Sequence, residues 1–552
     1  MKYIVTVGGV LSGIGKGTAV SSMGVLLKAC GLRVVAVKCD PYLSVSSGLL
    51  SPYEHGECYV LADGWESDLD LGNYERWLDV QLTGDSNITS GKVFSAVLAA
   101  ERRGDYLGKT VQMIPHVTDM ILTMIDRASK SVPADVCLIE IGGTVGDIES
   151  QLYLEAVRQL QQREAAGNVM LVHVSLVPAI GGDHEQKTKP TQHSVKELRS
   201  VGLFPDVILC RSEEPLAEST RAKLAMFCQV PSTAVLSVHN VPNIYHVPLL
   251  LEEQGLTGII VGRLGLTKMA ALPDLTAWRE LAEGVDSCLD EVRIAIVGKY
   301  TGLSDSYLSV LKALEHACTN WKRKLAVVWI DASELESPGG EDAETYTKAW
   351  SSLRSADGIL VPGGFGDRGV NGKIAAIRHA RENGIPFLGI CLGLQCAVIE
   401  HCRNVLGWKD ATSAEFEPNT ARPVIMFMPE IDPTQMGGNM RLGAKVSMIR
   451  SLPVLGAYES LAQRVYNGAT TVTERHRHRY EVNPTYIDRI QCSGLFFTAT
   501  DTEGKRMEIA ERRDHPFFFA TQAHPEFQSY PGRPSPPFKA FIAAAIAAIA
   551  EK

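Results

Sequence analysis

No two of the twelve cysteines form a C-x-x-C pair. Neither a zinc site nor a disulfide framework is indicated, and a reducing, cytoplasmic compartment fits this usage best. Long apolar runs are also missing. The run from Ala540 to Ala550 falls well short of the ~20 residues that a membrane span needs, and reads as a terminal helix packed on its domain. The N-terminus lacks the shape of a signal peptide, because its short apolar run ends in glycines and a lysine. There is no internal repeat and no low-complexity tract. Nor is there an excess of positive charge: a net charge of -9 argues against nucleic acid as the main partner. Anionic small ligands stay open, since a pocket needs only local lysines. What remains is a globular chain whose 552 residues exceed one core, so two large domains or three smaller ones are expected.

The most informative stretch is Gly8-Gly9-Val10-Leu11-Ser12-Gly13-Ile14-Gly15-Lys16-Gly17-Thr18. It follows an apolar run, Tyr3 to Val7, that reads as a strand, and precedes a helical pattern from Ala19 to Ala29. A glycine-rich turn there leaves backbone N–H groups free to face a polyphosphate, and Lys16 adds a mobile cation. The strict phosphate-loop pattern is not met: Val10 stands at the first required glycine, and Gly17 follows Lys16 where Ser or Thr is expected. A glycine-rich turn that holds nothing is the bland alternative.

Arg33 to Lys38 reads as a second strand, ending in Lys38-Cys39-Asp40-Pro41 at the carboxyl edge, where parallel sheets bind ligands. Residues 63 to 76 are acidic and not helical in period. In the context of a phosphate loop they could supply a carboxylate to Mg²⁺, a hard cation that prefers oxygen. A strand from Asp135 to Ile141 ends with Glu140, the expected second Mg²⁺ position, and Gly142-Gly143 then lead to Asp147, Ile148 and Glu149. After a strand from Val169 to Ser175, the polar loop from Glu185 to Gln192 opens a helix at about Thr191. Lys187 and Lys189 bracket Thr188 there as a second phosphate cradle. Two cradles suggest two phosphorylated substrates. Strands near Val207 to Cys210 and Ala234 to Val238 follow, with Lys223 on the helix between them. The alternation stops after Ile260, and Gly265 to about Asp290 reads as a linker.

A second α/β pattern starts at Val292, with strands at Leu325 to Ile330, Gly358 to Val361 and Pro386 to Ile390. The last runs into Gly389-Ile390-Cys391-Leu392-Gly393-Leu394-Gln395. Gly-x-Cys-x-Gly between strand and helix is the cysteine form of a nucleophile elbow, where the helix field favours the thiolate. Gln522-Ala523-His524-Pro525-Glu526 supplies a base and a group to orient it. Gly363-Gly364 offers oxyanion N–H groups. The basic run Arg475-His476-Arg477-His478-Arg479-Tyr480 is open to three readings: a solvated strand, a His-x-His metal site or a carboxylate-binding edge.

Together these stretches resemble the CTP synthase family over Tyr3 to about Phe527, the most specific being Ser12–Gly17, Ser51–Glu57, Asp68–Arg76, Arg103–Gln112, Glu140–Ser150, Lys187–Val195, Gly389–Gln395, Arg475–Asn483 and His524–Phe527. The resemblance implies an α/β fold of two doubly wound parallel-sheet domains. These are a P-loop-like synthetase domain at 1–268 and a class I glutamine amidotransferase domain at 291–552, joined by a linker at 269–290. It implies that ATP with Mg²⁺ phosphorylates O4 of UTP, and that ammonia released from glutamine displaces the phosphate to give CTP. It further implies activation by GTP, feedback by CTP, and a homotetramer that can form filaments, with no nucleic acid or membrane partner.

Carried over by position, Ser12, Gly13, Ile14, Gly15, Lys16, Gly17, Thr18, Lys38 and Asp70 would hold ATP, and Asp70 and Glu140 Mg²⁺. Ser12, Asp147, Ile148, Glu149, Lys187, Thr188, Lys189, Pro190, Thr191, Gln192 and Lys223 would hold UTP or CTP. Cys391, His524 and Glu526 form the implied triad. Gly364, Leu392, Gly393, Leu394, Gln395, Glu415 and Arg479 would hold glutamine, and the run around Arg368 resembles the lid linked to GTP. The chain departs from the family at Ser44 to Leu50, and at Ala62 and Trp65. An amidotransferase-synthetase acting on a carboxylate, such as a cobyric acid synthase, and an inactive filament-forming relative are the rival readings.

Overall fold

The computed structural model describes residues 1–180, 185–336, 343–432, 438–450 and 459–551. The chain divides into two units, Met1–Ser47 with Ser67–Asp286, and Gly48–Glu66 with Ser287–Lys552. This differs from the expected division in two places. Helix Thr276–Asp286, expected in the linker, belongs to the first unit: Trp278 packs on Trp77 and Tyr245 at centroid distances of 5.2 and 5.8 Å, and its indole N–H donates to the Tyr245 carbonyl at 2.7 Å. Residues 48–66, expected in the synthetase half, pack with the second unit.

Among the described residues of the first unit, seven strands form one sheet: β1 (Lys2–Gly8), β2 (Val34–Asp40), β3 (Asn87–Thr89), β4 (Val136–Ile141), β5 (Val169–Leu176), β6 (Val207–Arg211) and β7 (Val235–Val238), in the order β7-β6-β5-β1-β4-β2-β3. Every pairing is parallel. Strands covered by helices on both faces are mostly apolar, and β2 and β4 are buried at every position, with charged residues only towards their carboxyl ends. From β1 the chain moves outward to β2 and β3, returns to insert β4, then crosses to the other side of β1. The carboxyl edge around β1 is therefore where such sheets take ligands. Helix α1 (Lys16–Ala29) follows β1 directly.

The acidic stretch at 63–76, expected to be non-helical, contains helix α2 (Leu69–Leu78). Asp68 caps it, accepting from the Asp70 N–H at 3.1 Å, and Leu71, Tyr74 and Leu78 form its buried stripe. Helix α3 (Lys189–Ser200) begins two residues before the expected start.

In the second unit, β8 (Glu291–Gly298), β9 (Lys324–Asp331), β10 (Gly358–Val361) and β11 (Phe387–Ile390) are parallel, as expected. The sheet is not parallel throughout, however. β12 (Arg441–Ile449), β13 (Thr471–His478), β14 (Phe496–Asp501) and β15 (Met507–Glu511) join in antiparallel fashion through β16 (Phe518–Thr521), giving β9-β8-β10-β11-β16-β15-β14-β12-β13. Helix α4 (Leu392–Asn404) leaves the carboxyl end of β11.

Candidate active sites

The phosphate loop of the first unit takes the left-handed backbone at Val10 (φ 79°), Gly13 (71°) and Gly15 (96°). Val10 is the costly one, since a branched side chain disfavours that region. It stands where the strict pattern has glycine. Ser12 and Gly13 are exposed, and Gly15, Gly17 and Thr18 half-buried. Lys16 folds back, donating to the Gly143 carbonyl at 2.9 Å; burial lowers its pKa, against the pull of Glu140.

At the carboxyl edge of β2, Lys38 is buried among carboxylates: its Nζ lies 3.6 Å from Asp40 Oδ1, 3.3 Å from Glu140 Oε1 and in contact with Asp70. Burial alone would lower the ammonium pKa, but Asp40, Asp70 and Glu140 hold it well above the usual lysine value. Burial raises the pKa values of Asp40, Asp68 and Glu140. Glu140 also accepts from the Tyr74 hydroxyl. Asp70 and Glu140 converge on the first turn of α1: a Cβ added at Gly17 would stand 2.9 Å from Asp70 Oδ1 and 3.7 Å from Glu140 Oε2. Two hard oxygen donors beside a phosphate loop fit Mg²⁺, which uses one or two carboxylates and completes its shell with phosphate and water.

Asp147, Ile148 and Glu149 are exposed; Asp147 Oδ2 accepts from the Thr144 N–H at 3.1 Å. Lys187 pairs with Glu185 at 2.5 Å, Lys189 lies over the Phe227 ring, and Lys223 is exposed. Thr188 precedes α3 and accepts from Gln192 Nε2 at 2.9 Å, and Pro190 sits in the first turn, where its missing N–H costs nothing. Thr191 is placed differently from the rest. It is fully buried with its hydroxyl engaged behind the helix, so it anchors the cradle and does not line it. Sequence reasoning missed a cavity of about 270 Å³ beside α1, lined by Ile14, Thr18, Arg211, His239, Asn240 and Ile244 among others. The carboxyl-edge rule that singled out Lys38 applies equally to Arg211 and His239, at the ends of β6 and β7.

In the second unit Cys391 stands at the N-cap of α4 with φ 54° and ψ -100°, a strained conformation for a residue with a side chain. Close packing forces it. A Cβ at Gly393 would overlap the Val361 carbonyl, and one at Gly389 would stand 2.9 Å from the Gly393 carbonyl carbon. The thiol is buried; it donates to the Arg477 carbonyl at 3.7 Å and accepts from Gln522 Nε2 at 3.6 Å. The Cys391 N–H is taken by the Thr521 carbonyl at 2.7 Å. An oxyanion must therefore use other donors, and the first residues of a helix have N–H groups to spare. His524 Nδ1 is 2.7 Å from Glu526 Oε1, and its Nε2 is buried without a hydrogen-bond partner. The Nε2 faces the same small space as Cys391: a Cβ at Gly363 would lie 3.7 Å from it and 3.5 Å from Cys391 Cβ. Burial would lower the imidazole pKa, but Glu526 and Cys391 raise it to about 10.

A cavity of about 530 Å³ opens from Cys391, lined by Gly363, Gly364, Glu415, Arg479 and His524, and extends to Gly48–Leu50, Pro52 and Cys58. Glu415 accepts from the Gly366 N–H at 2.8 Å, and burial raises its pKa. Arg479 lies over the Phe365 ring. Gln395 Nε2 donates to the Tyr480 carbonyl at 3.1 Å. Leu394 is part of the hydrophobic core and does not face the cavity. Two buried lysines that sequence reasoning did not pick out brace the Gly363–Gly366 turn. Lys299 donates to the carbonyls of Phe365 (3.0 Å) and Gly366, and Lys373 Nζ lies 3.5 Å from that of Pro362. Arg368 pairs with Asp331 at 3.0 Å and donates to the Tyr53 hydroxyl at 3.0 Å. The basic run is neither a solvated strand nor a metal site: Arg475, His476 and His478 are buried, and His476 Nε2 pairs with Glu508 at 2.8 Å.

Residues 2–266 match the family model for the CTP synthase N-terminus, and residues 303–544 that for class I glutamine amidotransferases. A CTP synthase of Dictyostelium discoideum is 51% identical over 571 residues, covering 99% of each chain. Homo sapiens CTP synthase 1 is 50% identical over 555 residues, covering 99% of this chain and 93% of its own. Among solved structures, the glutaminase domain of the Trypanosoma brucei enzyme with bound acivicin is 42% identical, covering 46% of this chain and 94% of its own, with a TM-score of 0.42.

Proposed function

The chain belongs to the CTP synthase family, and from that premise we infer how its residues divide the reaction between the two units. It converts UTP to CTP with ATP as energy source and glutamine as nitrogen donor. In our reading Ser12–Thr18, Lys16 and Lys38 hold the ATP phosphates, and the cavity at Arg211 and His239–Val241 takes the adenine. Asp70 and Glu140 would hold Mg²⁺, which would supply positive charge to offset that of the phosphates. Asp147–Glu149, Lys187–Pro190, Gln192 and Lys223 receive UTP, and CTP as feedback inhibitor. Phosphorylation of O4 turns a poor leaving group into one that ammonia expels.

In the second unit the Cys391 sulfur, its proton held on His524 Nε2, attacks the glutamine carboxamide carbon. N–H groups of Leu392 and Gly364 receive the oxyanion. The imidazolium, held by Glu526, protonates the leaving nitrogen, and ammonia departs as the thioester forms; water then releases glutamate. Glu415 and Arg479 match the α-ammonium and α-carboxylate of glutamine in charge, with Gln395 beside them. Arg368 belongs to the lid through which GTP activates. A homotetramer, with filaments as a further assembly, and a cytoplasmic setting complete the reading; all twelve cysteines are free thiols, as a reducing compartment allows.

The observation that carries this reading is the strained Cys391 elbow beside a His524–Glu526 pair. Incubation with UTP, ATP, Mg²⁺ and glutamine is expected to yield CTP. Cys391→Ala should lower the glutamine-dependent rate by more than about 10³-fold and leave the ammonia-dependent rate intact. Loss of both activities would give the thiol a structural role instead.

A further inference from the structure

Helix α3 is fastened to the strand behind it by two hydroxyls. Thr191 and Ser194, three residues apart, share a helix face; His173 and Ser175, two apart, share a face of β5. The two faces meet. Ser175 donates to Thr191 Oγ1 at 3.0 Å, Thr191 donates to the Leu176 carbonyl at 3.0 Å, and Ser194 Oγ lies 2.7 Å from His173 Nε2.

Ser194 has a third neighbour. Gly9, the first residue beyond β1, has its backbone directly against the Ser194 side chain: an added Cβ would overlap the hydroxyl and lie 3.0 Å from His173 Cε1. The point where the ATP loop leaves the sheet thus rests on the helix that opens the UTP cradle, with no side chain between to absorb a shift. His173 is fully buried, and its Nδ1 has no hydrogen-bond partner. Burial, with Lys16 nearby, lowers its pKa to about 3, so the ring is neutral. A neutral imidazole has one N–H and one bare nitrogen, so the bond to Ser194 can run in either sense.

We propose that His173 and Ser194 are positioning residues that register the ATP phosphate loop against the UTP-cradle helix, so that filling one nucleotide site orders the other. A close-packed contact passes a displacement on because it cannot deform gradually. The proposal rests on the assignment of ATP and UTP to these two elements.

The test uses the full chain, with Mg²⁺ and a non-hydrolysable ATP analogue titrated by calorimetry with and without UTP. The wild-type protein should bind the analogue at least about 5-fold tighter with UTP present. In Ser194→Ala that ratio should fall towards one, while the melting temperature stays within a few degrees and Cys391 still hydrolyses glutamine. A purely structural serine would lower the melting temperature and leave the ratio alone. A ratio within twofold of wild type in Ser194→Ala, or no enhancement in the wild type, overturns the proposal. If Ser194→Ala does not fold, His173→Gln is read by the same ratio. Failure of the wild type to bind the analogue at all would instead overturn the assignment of ATP to the loop.

Discussion

Burial disfavours a charged imidazole, yet Glu526 at 2.7 Å and the neighbouring Cys391 carry His524 from its ordinary 6.5 up to about 10. The native state therefore binds a proton more tightly than the unfolded chain does. The stabilisation is complete below about pH 6.5 and is lost as pH rises through about 10. Glu526→Gln removes the larger of the two charge effects that hold the proton. Its melting temperature should fall below wild type near neutral pH, and the gap should close above pH 10. Glutamine hydrolysis should fall about 10²- to 10⁴-fold, with ammonia-dependent CTP formation retained. A gap that persists unchanged to pH 11 would mean that Glu526 acts through packing and not through the imidazolium. Cys391, His524 and Lys16 stand out in the sequence because each sits in a short motif whose chemistry is local. Lys38 was readable as a charged residue at a strand end, but its three carboxylate neighbours come from β2, α2 and β4, a juxtaposition only the fold makes. Lys299 and Lys373 carry no motif at all, and their role as braces exists only where a turn from another strand crosses them.

The nucleophile elbow depends on an element as much as on a thiol. α4 can start where it does only because Gly393 lies against the Val361 carbonyl. Gly393→Ala would push the helix off β10, and overpacking of this kind costs about 1–3 kcal/mol. A variant that melts lower, has lost most glutamine hydrolysis and still makes CTP from ammonia is the expected outcome; full glutamine-dependent activity would show that the elbow tolerates the displaced helix. Element boundaries in the parallel regions followed the sequence closely, because strands buried on both faces are unbroken apolar runs. Other elements do not, α2 and β13 among them. The acids of 63–76 mask the stripe Leu71, Tyr74 and Leu78 that makes α2 a helix. β13 was left open because it buries charge: Arg475 and His476 are paid back by partners distant in sequence, and Glu508, paired with His476 and Arg441, is held at about 2 despite its burial.

The two compact units are not the two halves of the chain. Residues 48–66 leave the first unit after Ser47, whose Oγ donates to the Ser67 carbonyl at 2.6 Å, and are built into the second. There Glu57 accepts from the Ser309 N–H at 2.8 Å and from its hydroxyl, at the start of helix Leu308–Asn320. Arg475 donates to the Tyr59 hydroxyl and the Val60 carbonyl, each at 3.0 Å, and Arg477 donates to Glu66 at 2.8 Å and the Gly48 carbonyl at 3.0 Å. The backbone of these arginines meets the proposed triad: the His524 N–H donates to the Arg475 carbonyl at 2.7 Å, and the Cys391 thiol faces that of Arg477. A fragment of residues 287–552 keeps the whole triad and loses every one of these strap contacts. Hydrogen bonds to charged groups contribute about 1.5–3 kcal/mol each, so several together are a large share of a domain's 5–15 kcal/mol. At about 2–4 °C per kcal/mol, the fragment should melt about 10 °C or more below the glutaminase transition of the full chain. It should also hydrolyse glutamine at least about tenfold more slowly, since a small displacement of the groups around Cys391 and His524 is enough to slow attack. Adding residues 48–66 back through a flexible linker should recover both properties. A bare fragment as stable and as active as the full chain would mean that the strap is a passenger on the second unit and not part of its fold.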